Sequence, residues 1–297
     1  MKKVLLIFTV GLLTACESGY YGGEVASEEQ PTEVKTKKFT FSVKGDFSSP
    51  IFSGDELTGG MKKAAALSAD GQDMTDLWVY DYMDGALVQS VHQTNEDADF
   101  GKPVMQLAYG QHHVYFVASR GVGAAVDGSV LTWSSVKDTF WKDYEVDVVS
   151  TSNGNRAVTL DRIVTKLKLT AIDEVPSGCA SVTITPETWY YGLDYMTGQP
   201  TAAQTKDVVI NVPSSYIGTS GSLVMSVFSF SGLTEWTTDV TLTAKNSDGD
   251  VIGQASIANA PFKANRCTEY SGPLFGSGGE MTVGLNCEWE TSFTGTW

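Results

Sequence analysis

Apolar and polar residues alternate along most of this chain with a period of two, the pattern of strands that bury one face. In FTFSVKGDF, Phe39, Phe41 and Val43 alternate with Thr40, Ser42 and Lys44. DLWVYDYMDGALVQSV reads as a hairpin in which Met83-Asp84-Gly85 joins two β-rich runs, Asp-Gly supplying the positive-φ turn. QHHVYFVAS predicts a further strand. A second set starts near Arg162: in RIVTKLKLTAI, Leu167, Leu169 and Ala171 oppose Lys166, Lys168 and Thr170. SVTIT, DVVINV, SLVMSVFSF, DVTLTAK, VIGQASI and MTVGLNCEWE continue it, separated by turn signals such as Pro176-Ser177-Gly178 and Asn246-Ser247-Asp248-Gly249-Asp250. One stretch departs from the alternation. In LTWSSVKDTFWKDY, Trp133, Val136, Phe140 and Tyr144 recur at spacings of three and four and Thr132 is placed to cap, which predicts a short amphipathic helix packed on the sheets.

The predicted fold is therefore all-β: two tandem antiparallel β-sandwich domains, with a short accessory helix in the first. The hydrophilic STSNGNR, Ser150 to Arg156, marks the boundary, giving an N-terminal sandwich over 39–155 and a C-terminal one over 156–297. Residues 16–38 are rich in Gly, Glu and Ser and lack an apolar period, so they read as a flexible tether.

The first fifteen residues have a different character. Lys2 and Lys3 precede the apolar run Val4 to Leu13, which is too short to span a bilayer as a helix and matches a signal peptide. Leu13-Thr14-Ala15-Cys16 resembles a bacterial lipobox, in which the Cys becomes the first residue of the mature chain and its sulfur takes a diacylglyceryl group. Two or three acyl chains, at about 0.8 kcal/mol per buried methylene, give lasting anchorage where one does not. Cys16 is thus the candidate lipidation site and, palmitate-type chains included, the link to an outer membrane.

Charge and cysteine content narrow the reading. With 35 acidic against 20 basic residues and a formal net charge of −15, the chain lacks the broad cationic face that nucleic acid requires. With Cys16 acylated, Cys179, Cys267 and Cys287 remain, enough for at most one internal disulfide. Cys267 and Cys287 are the candidate pair in an oxidising compartment, and buried thiols are the alternative. No cysteine has metal-ligand spacing.

Catalytic chemistry is sparse, and no enzyme, cofactor or metal is predicted. His112 and His113 are adjacent on a predicted strand, so they point to opposite faces and cannot share a metal through their own spacing. Asp70, Asp73, Asp76, Asp248 and Asp250 match no EF-hand loop, and the Asp-Gly turns have a conformational reason to exist. Trp189, Tyr190, Tyr191 and Tyr195 in PETWYYGLDYMTGQP are the candidate carbohydrate or partner contact. The alternative is that these rings cover a sandwich end.

Several segments together resemble the fimbrillin superfamily of Bacteroidales, lipoprotein pilus subunits and anchors of the FimA/Mfa type. TDLWVYDYMDGALV is similar to the family's early strand pair and YGQHHVYFVASRG to the strand after it. LDRIVTKLKLTAID resembles the strand that opens the second domain, with Thr165 where Ala is usual, and FKANRCTEYSGPLFG a late segment, here with Cys267 between Arg266 and Thr268. The resemblance implies two transthyretin-like sandwiches and assembly with other fimbrial subunits by β-strand addition, a partner's terminal strand filling a groove opened by loss of a first strand. It also implies a surface or fimbrial location and a host or bacterial surface ligand. Two departures favour an anchor or tip-like accessory subunit over a polymerising shaft. The first Arg after Cys16 is Arg120, so trimming near the first strand falls to Lys35, Lys37 or Lys38 or to another protease, and only Thr291 to Trp297 follow MTVGLNCEWE. The alternative function is a carbohydrate-binding surface lipoprotein of a glycan-uptake system.

Overall fold

The computed structural model describes residues 34–45, 57–58, 74–232, 234–276 and 293–296. The segment read as a leader, Cys16, Cys287 and the predicted strand MTVGLNCEWE lie outside these residues. In chain order the strands of the first half are β1 Thr36–Gly45, β2 Leu57–Thr58, β3 Asp76–Met83, β4 Ala86–Thr94, β5 Val104–Ala108, β6 Gly110–Ser119, β7 Ala125–Asp127, β8 Val130–Thr132, β9 Thr139–Val148 and β10 Asn155–Arg162. Those of the second half are β11 Val164–Ala171, β12 Cys179–Pro186, β13 Trp189–Asp194, β14 Gln199–Gln204, β15 Val208–Asn211, β16 Leu223–Phe230, β17 Trp236–Asn246, β18 Val251–Phe262, β19 Cys267–Gly272 and β20 Phe293–Thr296. The protein is all-β, and among the described residues the one helical turn is the 3-10 segment Ser214–Tyr216. No helix among them is long and apolar enough to cross a membrane.

The accessory helix is corrected. Trp133 and Val136 lie in the connection between β8 and β9, and Phe140 and Tyr144 lie on β9. A spacing of four is an even number, so it fits one face of a strand as well as one face of a helix. The Trp133 indole N–H donates to the Gly121 carbonyl at 3.0 Å, which fixes the ring without any helix.

The strands form a seven-stranded sheet, β4-β3-β6-β9-β10-β1-β5, a five-stranded sheet, β2-β16-β11-β19-β20, and two four-stranded sheets, β15-β12-β17-β18 and β14-β13-β8-β7. The expectation of purely antiparallel pairing is also corrected. β1 lies parallel to β10, and β19 parallel to both β11 and β20. β1 also begins at Thr36, inside the stretch read as tether, because Thr36, Lys37 and Lys38 pair with Ala108, Leu107 and Gln106 of β5.

The predicted hairpin is β3–β4, with Asp84 at φ 51° and Gly85 at φ 76°, two consecutive left-handed residues as a type I′ turn requires. β3 over Asp76–Asp81 and β6 over Val114–Ser119 are buried on both faces, which explains these unbroken runs of buried positions. One face of β3, Leu77 and Val79, joins Phe39, Phe41, Met105, Leu107, Phe116, Val148 and Leu160 in a core of its own. The other face, Trp78 and Tyr80, joins a larger core with Leu131, Trp189, Leu167, Leu169, Ile184 and Leu242.

Candidate functional site

The strand nearest the N-terminus among the fully described strands is inserted between two others of the seven-stranded sheet. β1 lies between β10 on one side and β5 on the other, one place in from the sheet edge. Its alternation is the cause: Phe39 and Phe41 are fully buried while Ser42 and Lys44 face out. Phe41 meets Phe116 edge-on at 5.2 Å and Tyr144 at 6.0 Å, and Phe39 lies under the Arg156 guanidinium at 5.5 Å. The backbone is held at several points beyond the ladder. Thr40 N–H donates to Gly154 O at 2.7 Å, and Val43 N–H to Gly101 O at 2.9 Å. Gly154 is required here, since a Cβ on it would run into the Lys38 carbonyl. Of the candidate processing residues, Lys35 precedes the strand, whereas Lys37 and Lys38 are inside it, and Lys37 Nζ donates to Ser150 O at 2.6 Å.

The aromatic cluster read from PETWYYGLDY is largely interior, a correction to its reading as a contact surface. Trp189 is fully buried on β13, its indole N–H donating to Phe228 O at 2.7 Å, with Phe262 edge-on at 5.1 Å. Tyr195 is buried and stacked on Tyr80 at 4.0 Å, and the Tyr82 and Tyr195 hydroxyls are 3.1 Å apart. Burial is the main cause that pushes the phenols of Tyr80 and Tyr191 up to about 12, and it raises that of Tyr195 as well. Tyr190 is the partly exposed member and packs edge-on against Trp236. Strand alternation places three of the four rings inward, and their shared composition in one loop-like run hides that. Beside Trp189 and Tyr191 is a cavity of about 170 Å³, rimmed by Ser134, Ser135, Lys137, Lys206 and Asp207.

The histidines divide as the strand geometry demands. His112 is buried against Asp81, Nδ1 to Oδ1 at 2.7 Å, and its Nε2 is 3.0 Å from Ala108 O on β5. Gln89 on β4 reaches the same strand, donating to Gln106 O at 2.8 Å, so these polar groups link the two ends of the seven-stranded sheet. His113 is exposed and contacts Asp143 on β9. Among the residues the sequence reading missed, Glu145 stands with them: His113, Asp143 and Glu145 each offer an atom within 4.8 Å of the others. The signal, Asp143-x-Glu145 on one strand and His113 on another, becomes readable only once the register between the strands is known.

At the passage from β10 to β11, Arg162 donates to Asp138 from Nε at 2.7 Å and from Nη2 at 3.1 Å, and to Asn265 Oδ1 from Nη1 at 3.1 Å. The segments LDRIVTKLKLTAID and ANRCTEY, separate in the sequence, therefore meet at one buried guanidinium.

The other candidates fall as follows. Asp70 and Asp73 lie outside the described residues, while Asp76 bonds His92 at 2.8 Å. Asp248 and Asp250 form a turn in which both N–H groups donate to Asn246 Oδ1, at 3.0 and 2.8 Å. Cys179 and Cys267 are both buried, and burial raises the Cys179 thiol.

No family model matches the sequence, and no curated protein matches it. Solved structures do. A Bacteroides ovatus protein assigned to the adhesins is 11% identical, with 74% of this chain and 75% of that one covered at a TM-score of 0.46. The fimbrial anchor protein Mfa2 from Porphyromonas gingivalis is 10% identical, with 74% and 82% covered at 0.43. A Bacteroides uniformis protein assigned to cell adhesion is 14% identical, with 90% and 97% covered at 0.42. The resemblance drawn from the sequence is to this same kind of protein.

Proposed function

We propose that this chain is a non-enzymatic fimbrial or adhesive subunit, exported as a lipoprotein held to the outer membrane at Cys16 and assembling with other subunits by strand exchange. In this reading the described strands build two tandem sandwiches, roughly 39–155 and 156–297. The observation that carries it is the placement of β1: an N-terminal strand, pinned by two buried phenylalanines between β10 and β5. Its departure would leave a groove with two ladders of unpaired N–H and C=O groups and an apolar floor, which an extended strand of alternating pattern fits. β20, at the edge of the five-stranded sheet and near the chain end, is the candidate donor. Release of β1 would need a cut beyond Gly45, whereas a cut after Lys35 would part the whole body from Cys16; an uncut chain that keeps Cys16 would stay at the membrane as an anchor or tip-like accessory.

The test is surface assembly in cells. Deletion of 17–44 or of 280–297 is expected to abolish co-purification with partner subunits, and Cys16→Ser to release the protein from the membrane fraction. Unchanged filaments and unchanged co-purification in both deletions would remove strand exchange from the account.

A further inference from the structure

In the antiparallel pair β6–β9, His113 stands directly opposite Glu145 and Tyr115 directly opposite Asp143. Residues two apart on a strand share a face, so His113, Glu145 and Asp143 project from the same side, with Asp143 diagonal to His113. His113 Nδ1 lies 3.1 Å from one Asp143 carboxylate oxygen and 3.3 Å from the other. Metal–ligand bonds of about 2.0–2.2 Å around a tetrahedral ion put neighbouring donor atoms about 3.3 Å apart, so this edge already has coordination spacing. Glu145 needs only a rotamer change to close the third position, since its carboxylate makes no hydrogen bond or ion pair among the described residues and all three donors lie within 4.8 Å.

The surroundings favour a cation. Among the described residues no lysine or arginine pairs with Asp143 or Glu145; Lys142, the neighbouring base, is turned to Asp161 at 2.8 Å. Tyr115, packed nearly parallel to the His113 ring at 6.0 Å and 17°, restricts the imidazole's rotation.

The geometry points to a divalent transition-metal site of the zinc type, with His113, Asp143 and Glu145 as its protein ligands and one coordination position open. The donor set selects the ion: an imidazole with two carboxylates suits zinc and its first-row neighbours, whereas calcium takes six to eight oxygens and magnesium a near-ideal octahedron. The open position takes water, or a carboxylate or imidazole from another molecule.

The experiment uses the full-length chain in detergent, titrated with Zn²⁺ alone by calorimetry and with Co²⁺ alone by visible absorption. Expected are one saturable equivalent in the micromolar range and the intense visible bands of four-coordinate cobalt. His113→Ala and Glu145→Gln should each weaken binding at least about tenfold, and His92→Ala, altering the other exposed histidine, should leave it unchanged. Glu145→Gln removes no contact of the fold, so an unaltered melting temperature without metal accompanies its loss of binding. The site is overturned by absence of saturable binding, by binding that survives both His113→Ala and Glu145→Gln, or by equal loss in His92→Ala.

Discussion

Truncating Arg162 to Ala tests how the chain is held where it passes from β10 to β11. The side chains of Arg162 and Asp138 are 5% and 4% exposed, so neither charge has water to fall back on. The guanidinium makes two bonds to Asp138 and one to Asn265, and its carbon stands 4.7 Å over the Phe140 ring. Removing it leaves a buried carboxylate without its cation, a defect that costs about 3–5 kcal/mol. Against a typical domain stability of about 5–15 kcal/mol, that is a third or more of the total. Arg162→Lys keeps the charge but loses the planar fork, so its cost falls between those of wild type and Ala. Asn265→Ala removes one bond to a charged group, about 1.5–3 kcal/mol, and adds the strain of Ala at φ 57°. Urea unfolding followed by tryptophan fluorescence reads these differences as shifts in midpoint at constant slope. The double variant Arg162→Met with Asp138→Leu supplies the sharper check, because replacing both charges by apolar groups of similar bulk should recover much of the loss. If Arg162→Ala costs under about 1 kcal/mol, or the double variant is no better than the single one, the buried-pair reasoning is wrong.

Three further outcomes follow from the same structure. Phe41→Ala removes a fully buried ring that contacts Phe39, Phe116 and Tyr144, and should cost about 3–5 kcal/mol in urea unfolding. A loss below about 1 kcal/mol would mean that β1 is not packed as described. Asp173→Ala removes the acceptor for the N–H groups of Leu274, Phe275 and Gly276, at 3.0, 2.6 and 3.0 Å, and should cost about 1–3 kcal/mol while exposing 274–276 to limited proteolysis. Tyr80 and Tyr191 are raised from the ordinary value of 10.0 to about 12, so the folded state holds their protons more tightly than the unfolded chain does. Their contribution to stability is complete below pH 10 and is lost as pH rises from 10 to about 12. Tyrosinate absorbance and circular dichroism should therefore change together for these residues; complete ionisation of all twelve tyrosines near pH 10 with an intact fold would contradict it.

What the sequence disclosed was whatever depends on neighbours within one strand. Phe39 and Phe41 face inward, Asp84-Gly85 turns the hairpin, and Leu167, Leu169 and Ala171 are all fully buried, because period-two alternation and turn chemistry are local. The false helix at Trp133–Tyr144 has a local cause too: the four-residue step from Phe140 to Tyr144 serves both periods. What stayed hidden depends on register between distant strands. β1 lies beside β10 with more than a hundred residues between them, and no local pattern states that the pairing is parallel. The burial of Trp189, Tyr191 and Tyr195 has the same origin. Gly192 removes the side chain that would meet Thr201 and Ala202, which lets β14 close tightly on β13. His113 shows the point most sharply. Adjacency to His112 argued against a metal, and the two imidazoles do face opposite ways, yet the relevant neighbours are Asp143 and Glu145 across the ladder. In an all-β chain, side chains gather mainly across strands, so a search along the sequence undercounts clusters in proportion to how much of the chain is paired at long range. Polar positions that alternate outward on central strands, such as β6 and β9, are therefore where unrecognised chemistry in such a chain should be sought.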